Sequence, residues 1–318
     1  MNEIDDLSYG VYCVDLFEGG YSWRSSCYII VDEKIAIVET GSPPSNSHIL
    51  KALDKLNISR DRVDAIIVTH IHLDHSGGTG LLLNSLPNAQ VYVHHRGVPH
   101  LIDPTKLVAS SRIVYGEVFD RLFSPVIPVP KERIVIVNDG DTYEMSSDRV
   151  LQFHDSPGHA LHHVFIYDPL SRGIFTGDSA GVFYRDLKEG YHVELCVPTT
   201  TPTQFDPLAM IETLDKMLSL NPERFYFTHF GMSDKPKDRV DDIKRWLPTF
   251  TEKAVQSYRD NPSWQTLAEF LKQSLQEWMN INNIPVNEDS MKYLNIDVQL
   301  NAMGIESYIQ RMDKQKQK

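Results

Sequence analysis

The sequence has few cysteines and no long apolar segment. Only three cysteines occur among 318 residues, at the scattered positions Cys13, Cys27 and Cys196. An odd number without regular spacing argues against a disulfide framework and indicates small buried thiols in a reducing compartment. No apolar run approaches the ~18 to 20 residues needed to span a bilayer, and the acidic start, residues 1–6, lacks the pattern of a signal peptide. We therefore expect a cytoplasmic protein without a membrane partner.

Basic charge is also scarce, since 31 lysines and arginines stand against 43 acidic residues and give a net charge of −12. A nucleic-acid-binding surface needs clustered lysines and arginines to neutralise phosphates. The basic run Lys314–Lys318 is expected to be a disordered terminal tail. The charge balance therefore argues against a nucleic acid partner and favours a small organic molecule as the substrate.

The most informative segment has the sequence HIHLDH and places four candidate metal ligands within six residues, namely His70, His72, Asp74 and His75. The run 63–69 before it is apolar and β-branched, which predicts a buried strand. The candidate ligands therefore follow the end of a core strand. Three imidazoles and one carboxylate suit Zn²⁺ or Fe²⁺ better than Ca²⁺ or Mg²⁺.

Three further candidate ligands also follow short strand-like runs. His159 comes after the run 149–153, Asp178 comes after the run 174–176 and a glycine, and His229 comes after the run 224–228. Small residues near these ligands allow the backbone to approach closely. Each residue alone would be an ordinary polar loop residue, but together with the first motif, and in this order, they form a specific signature.

The order HxHxDH, His, Asp after glycine, and a final His resembles the metallo-β-lactamase-fold superfamily over about residues 8–235. The resemblance implies an α/β (α+β) fold, a four-layer αββα sandwich with metal at the seam between two sheets. It also implies two divalent ions per chain, with zinc favoured and iron or manganese as alternatives. One ion would be bound by His70, His72 and His159. The other would be bound by Asp74, His75 and His229, with Asp178 bridging the two.

Such a centre implies hydrolysis of a small acyl substrate, a thioester or an ester or lactone, by a hydroxide that bridges the ions. Asp74 and Asp178 would then be the catalytic residues. Lactonases of this fold carry a tyrosine three residues after the bridging aspartate, where this chain has Gly181. The chain looks closer to glyoxalase-type hydrolases and to the thioesterase-like members linked to quinolone signalling. Three further residues are candidates for contact with the substrate or with a ligand: His163, Tyr184 and His192.

Two functions of other classes remain open. Persulfide dioxygenases of this fold retain the HxHxDH pattern but use a single iron. A ligand-sensing or partner-binding protein would retain metal with little turnover. Oxygen consumption with a persulfide substrate would identify the first, and absence of turnover with activated esters and thioesters would favour the second.

The predicted elements divide the chain into a metallo-β-lactamase-like domain, 1–235, and a C-terminal helical extension, 236–318. In the first domain, one set of strands occupies the first half and a second set begins near Ile134. The segment 97–130 is an insertion, which would either form a wall near the metals or pack on the outside. The aromatic residues of the extension would either line a substrate pocket or only cover the sandwich. The oligomeric state is left open.

Overall fold

The computed structural model describes residues 3–202, 204–292 and 294–316. The strands within these ranges are β1 (Ile4–Asp6), β2 (Val11–Asp15), β3 (Ser26–Val31), β4 (Ile35–Val38), β5 (Val63–Ile67), β6 (Gln90–His94), β7 (Ile134–Val137), β8 (Thr142–Ser146), β9 (Arg149–Asp155), β10 (Val164–Asp168), β11 (Gly173–Gly177), β12 (Val182–Phe183), β13 (Cys196–Val197), β14 (Arg224–Phe227) and β15 (Gly231–Ser233). The helices are α1 (Asn46–Lys55), α2 (Leu73–Ser76), α3 (Thr79–Leu83), α4 (Val98–Ile102), α5 (Thr105–Tyr115), α6 (Phe119–Phe123), α7 (Arg185–Tyr191), α8 (Pro207–Ser219), α9 (Pro236–Pro248), α10 (Ala254–Asp260), α11 (Trp264–Ile281), α12 (Glu288–Met291) and α13 (Leu294–Lys316).

The chain forms two compact units. Unit 1 contains the described residues up to Asp155, together with His162–Gly177 and Asn221–Asp234. Unit 2 contains the described residues of Ser156–Leu161, Asp178–Leu220 and the chain from Lys235 onward. One boundary between the units, after Asp234, lies next to the predicted boundary at residue 235, but unit 2 also contains earlier segments of the chain. The predicted division into two domains therefore stays a prediction.

Unit 1 is built on two sheets. The first has seven strands in the order β1-β2-β3-β4-β5-β6-β7, antiparallel from β1 to β4 and parallel from β4 to β7. Because parallel neighbours need a crossover connection, helices α1 to α6 lie between these last strands. The second sheet has six strands in the order β15-β14-β11-β10-β9-β8.

The assignment of Ile134 to the second set of strands was wrong. Ile134 lies opposite Val91, so β7 is a parallel edge strand of the first sheet. An apolar run predicts that a strand forms, but it carries no information on which sheet that strand joins. The second sheet begins one strand later, at β8.

The two sheets of unit 1 pack face to face through an apolar core. Strand β3 shows how its residues alternate: Tyr28 and Ile30 belong to the core between the sheets, whereas Cys27 and Ile29 belong to the cluster on the other face. The inner core also takes large side chains from the second sheet, among them Phe153, Ile166 and Phe175. The outer cluster contains Ile49 and Leu53 of α1 together with leucines of α3 and α4. Both faces of the first sheet are therefore covered, which explains its nearly continuous apolar strands.

The mixed α/β class with two sheets and a helical C-terminal region is confirmed. Asp206 followed by Pro207 in the sequence predicts the start of a helix. The structure confirms it, because the Asp206 carboxylate accepts the N–H groups of Leu208 and Ala209 at 3.1 Å. All three cysteines are buried, as predicted, and burial raises the pKa of the Cys27 and Cys196 thiols. These two thiols are therefore poor nucleophiles.

Two helical segments differ from the sequence interpretation. The stretch from Leu107 to Leu122 predicts a helix inside the insertion, but the structure interrupts it at Gly116, whose φ of 55° lies in the left-handed region. The basic run expected to be disordered is helical as far as Lys316, at the end of α13. The last two residues of that run, 317 and 318, lie outside the described residues. Among the described helices, none combines the length and apolar content needed to cross a membrane.

A buried ion pair fixes β9 to β10 in unit 1. Arg149 donates from Nε and Nη2 to the two carboxylate oxygens of Asp168 at 3.2 and 2.6 Å, and both side chains are fully buried. We expect Arg149→Met to lower the free energy of unfolding by about 3 to 5 kcal/mol, because it leaves a buried carboxylate without its cation. Chemical denaturation measures this loss. The matched variant Lys55→Met removes an exposed pair with Glu3 and should leave stability almost unchanged; equal effects of the two variants would contradict the expectation.

Candidate metal centre

The HIHLDH segment of unit 1 runs from the end of β5 into α2. Main-chain hydrogen bonds continue past the strand, since the Thr69 carbonyl accepts the Val164 N–H at 2.8 Å. His70 and His75 are fully buried, whereas His72 and Asp74 are partly exposed. The backbone of a core strand therefore fixes the first ligand, and the first turn of α2 carries the last two.

His70 and His72 direct ring nitrogens at each other. The distance from His70 Nε2 to His72 Nδ1 is 2.8 Å. The opposite nitrogen of His70, Nδ1, lies 3.0 Å from the hydroxyl of Thr69. Two imidazole nitrogens that close together fit a shared cation, because neutral ring nitrogens are good ligands for zinc and other transition metals.

A second cluster in unit 1 consists of Asp74, His75 and His229, whose ligand atoms all lie within 4.8 Å of one another. Asp74 Oδ2 is 3.7 Å from Nε2 of His75 and 3.7 Å from Nε2 of His229. His229 follows β14, and its Nδ1 donates to the Arg24 carbonyl at 3.0 Å. Two imidazoles around one carboxylate form a nitrogen and oxygen set of the kind found in zinc sites.

Glu39 supports this cluster, although its role was missed in the sequence. Glu39 Oε1 accepts the Thr69 N–H at 3.1 Å, and Oε2 lies 3.4 Å from His75 Nδ1. The residue follows β4 with a φ of 69°, and the N–H groups of Thr40 and Gly41 donate to the His75 carbonyl. A glutamate that closes an apolar strand was the available signal. Its partner could not be read from the sequence, because Glu39 and His75 are 36 residues apart.

Glu18, Arg24 and Ser25 form another buried polar group in unit 1. The Ser25 hydroxyl donates to the Glu18 carboxylate and lies 3.3 Å from His229 Nδ1. Burial raises the pKa of Glu18, and the nearby Arg24 guanidinium, 3.8 Å away, opposes that rise. No pattern in the sequence indicated this group, since it lies in the irregular segment between β2 and β3.

Unit 2 brings together the two remaining predicted ligands. His159 Nε2 lies 3.3 Å from Asp178 Oδ2, and both side chains are nearly fully buried. The other ring nitrogen of His159, Nδ1, lies 3.2 Å from the Thr199 carbonyl. The glycine before His159 is required here, because Gly158 has a φ of 129° and a Cβ would lie 2.5 Å from Met210 Cα.

The three candidates for substrate contact occupy different environments. The His163 ring stacks on His70 with centroids 4.6 Å apart, and a Cβ on Gly177 would lie 2.5 Å from His163 Nε2. Tyr184 is buried, and its hydroxyl donates to Asp297 Oδ2 at 2.7 Å. His192 is exposed at the end of α7. Contact of these residues with a substrate stays a prediction.

The insertion places apolar residues behind the ligands of α2. Phe119 and Phe123 are buried in a cluster with Leu73, which lies between His72 and Asp74 in the sequence. This packing supports the ligand-bearing turn from within unit 1. Whether the insertion also forms a wall of a substrate pocket stays a prediction.

The ligands of unit 1 fit a divalent metal, because three histidines are oriented in the same way. In His70, His75 and His229, Nδ1 faces a partner from the protein, and Nε2 faces another candidate ligand. Metal-binding histidines commonly have their second nitrogen bonded in this manner, which fixes both the tautomer and the ring orientation.

We expect Glu39→Gln to lower metal affinity about 10- to 100-fold while the fold is retained. The glutamine side chain has nearly the same shape, but once its oxygen accepts the Thr69 N–H, an uncharged NH2 group faces His75 Nδ1 in place of a carboxylate oxygen. Titration of the metal-free protein with Zn²⁺ against a chromophoric chelator measures the affinity. Glu33→Gln, at an exposed position in the same unit, should bind metal like the wild type. Equal affinities of the two variants would contradict a positioning role for Glu39.

Known proteins show similarity over most of the chain. A metallo-beta-lactamase fold-containing protein from Sulfurisphaera tokodaii is 25% identical over 226 residues, which are 70% of this chain and 78% of that protein. A hydroxyacylglutathione hydrolase from Serratia proteamaculans is 28% identical over 171 residues, which are 52% of this chain and 49% of that protein. The chain therefore spans about half the length of the second relative.

Solved structures agree with the fold. An archaeal metallo-beta-lactamase superfamily protein from Sulfolobus tokodaii matches with a TM-score of 0.66 and 21% identity, covering 93% of this chain and 98% of that chain. At this identity, the likeness shows the fold alone. The family model of the Metallo-beta-lactamase superfamily matches residues 21–229, a range that includes all seven predicted ligands. The chain therefore belongs to the metallo-beta-lactamase superfamily.

Proposed function

We propose that this protein is a binuclear metal-dependent hydrolase that acts on a small acyl substrate, with a thioester favoured over an ester or lactone. The observation that carries the proposal is the common orientation of His70, His75 and His229. Each of these buried rings has Nδ1 facing a protein partner and Nε2 facing another ligand. This arrangement is typical of histidines that bind a metal.

The proposed division of ligands follows the order of the family motifs. His70, His72 and His159 would bind one ion, and Asp74, His75 and His229 would bind the other, with Asp178 between them. Two local observations support this division. Asp74, His75 and His229 already form a cluster in unit 1, and His159 lies next to Asp178 in unit 2. Zinc is the favoured metal, with iron or manganese as alternatives.

Two divalent ions, when bound, would lower the pKa of a coordinated water and polarise the carbonyl of the substrate. The side chains of the protein then have separate tasks. The Asp74 carboxylate, 22% exposed, can accept a hydrogen bond from the attacking water and orient it. Glu39 and the Arg24 carbonyl keep His75 and His229 in place. The buried Asp178 carboxylate adds negative charge that offsets the charge of the ions.

The surroundings of Tyr184 favour a thioester as substrate. An alkoxide leaving group needs a proton donor or strong metal assistance, whereas a thiolate, whose conjugate acid has a pKa of about 8.5, leaves largely unaided. Gly181 stands at the position where lactonases of this fold carry tyrosine, and the hydroxyl of Tyr184 already donates to Asp297. The chain thus offers no tyrosine at the lactonase position.

The hydroxyacylglutathione hydrolase from Serratia proteamaculans supports the same substrate class. Its name describes hydrolysis of an acyl group carried by glutathione, and an acyl group on the glutathione thiol is a thioester. The similarity extends over half of that protein, so the identity of the thiol carrier is not transferred with it. The proposal is therefore limited to acyl thioesters as a class.

The wild-type protein, purified without oxygen, is expected to contain two divalent ions per chain. His229→Ala should lose one of them, because it removes one of three ligands from the cluster around Asp74, and hydrolysis should be lost with it. Elemental analysis of the purified protein counts the ions. The control His95→Ala changes an exposed histidine outside the motifs and should keep both ions. A wild-type content of one ion that does not depend on His229 would overturn the binuclear centre.

A matched pair of substrates tests the leaving group. For a thioester and an oxygen ester of the same acyl group, we expect kcat/KM to be about 100-fold higher for the thioester, which is the size of the missing acid catalysis. A lactone should react at the slower rate. Faster turnover of the lactone would refute the thioester preference. Oxygen consumption with a persulfide would instead identify a dioxygenase, and no turnover of any substrate by metal-loaded protein would favour a sensor.

A further inference from the structure

A short segment of unit 2, Thr199–Thr201, contacts His159 from two sides. The Thr199 carbonyl lies 3.2 Å from His159 Nδ1. The Thr201 hydroxyl donates to the His159 backbone carbonyl at 2.8 Å. The segment therefore contacts both the ring and the backbone of His159, which leaves Nε2 of the ring facing Asp178 at 3.3 Å.

The same segment is bonded to the C-terminal helix α13. The Thr200 N–H donates to the side-chain oxygen of Asn301 at 2.7 Å, and the Thr200 hydroxyl donates to the Asn301 backbone carbonyl at 2.8 Å. Thr200 and Asn301 are each 4% exposed. Buried hydrogen bonds of this kind are costly to break, because water does not replace them.

The close approach of α13 to this segment requires a glycine. Gly304 lies one turn after Asn301 on the same face of the helix. A Cβ at Gly304 would lie 2.3 Å from the Thr200 hydroxyl oxygen and 2.8 Å from the Thr200 carbonyl carbon. Glycine is unfavourable inside a helix, so its presence here is explained by the contact with Thr200.

We propose that Asn301 is a positioning residue for the metal ligand His159. Asn301 fixes Thr200. Of the residues on either side of it, Thr199 sets the tautomer and direction of the His159 ring, and Thr201 holds the His159 backbone. This inference rests on the proposed function, in which His159 binds one of the two ions. It gives the C-terminal helical region a task in metal binding, which is distinct from covering the sandwich and from lining a substrate pocket.

Two variants of the full-length protein disturb this contact in opposite ways. Asn301→Ala removes the acceptor of the Thr200 N–H. Gly304→Ala keeps every hydrogen-bonding group and raises helix propensity, but it pushes Thr200 away. Two controls accompany them: Thr200→Ser retains the hydroxyl donor, and Asn295→Ala makes the same change as Asn301→Ala at an exposed position of α13.

Stepwise titration of the metal-free proteins with Zn²⁺, against a chromophoric chelator, measures the affinity of each ion. We expect Asn301→Ala and Gly304→Ala to weaken one of the two ions about 10- to 100-fold and to leave the other unchanged. Thr200→Ser and Asn295→Ala should bind both ions like the wild type. In a His159→Ala background, Asn301→Ala should have no further effect on metal affinity, because Asn301 acts only through His159 and that ring is already removed.

The outcomes separate the inference from the proposed function. If the wild type binds two ions and both test variants also bind two ions with wild-type affinity, the positioning role is wrong and the proposed function stands. Equal weakening of both ions in Asn301→Ala would show a general structural effect and would also overturn the inference. If Asn301→Ala fails to fold, the result for Gly304→Ala decides. A wild type that binds fewer than two ions would refute the proposed centre itself.

Discussion

Each buried imidazole of the candidate centre can present one nitrogen to a metal only if its other nitrogen is bonded elsewhere. A buried ring nitrogen without a partner is costly, and a ring free to rotate would not preorganise a metal site. The partners in this protein are the Thr69 hydroxyl for His70, the Glu39 carboxylate for His75 and the Arg24 carbonyl for His229. Much of the surrounding architecture serves to bring these groups to the rings.

The sheet topology explains why Glu39, the partner of His75, lies next to Thr69, the partner of His70. Strands β4 and β5 are parallel neighbours, so Glu39 and the HIHLDH segment leave the same edge of the first sheet. Ligand sites in such sheets commonly form beyond the carboxyl ends of the strands. The left-handed conformation of Glu39 turns the chain at this edge, and the turn brings two N–H groups to the carbonyl of His75. Local backbone strain of this kind is typical of functional sites.

In unit 2, the second ring nitrogen of His159 also faces a protein partner, and the C-terminal helix α13 holds the segment that supplies it. His159 is contacted by Thr199 and Thr201, and the segment between them is bonded to Asn301 of α13. Helix α13 of the C-terminal extension is thereby connected to the candidate ligand His159, which lies more than 140 residues before Asn301. The position of His159 would then depend on α13, which lies outside the residues 21–229 matched by the family model.

The sequence by itself determined the candidate ligands, their order and their places after strands, because the HxHxDH spacing and the apolar runs are local patterns. It also determined the N-cap at Asp206 and the burial of the cysteines. Only the tertiary structure decided that β7 joins the first sheet, that Glu39 contacts His75, and that Asn301 contacts Thr200. Those contacts join residues between 36 and 101 positions apart. Hydrophobic periodicity reports which face of an element is buried, but the identity of the partner on that face depends on how the chain folds back in space.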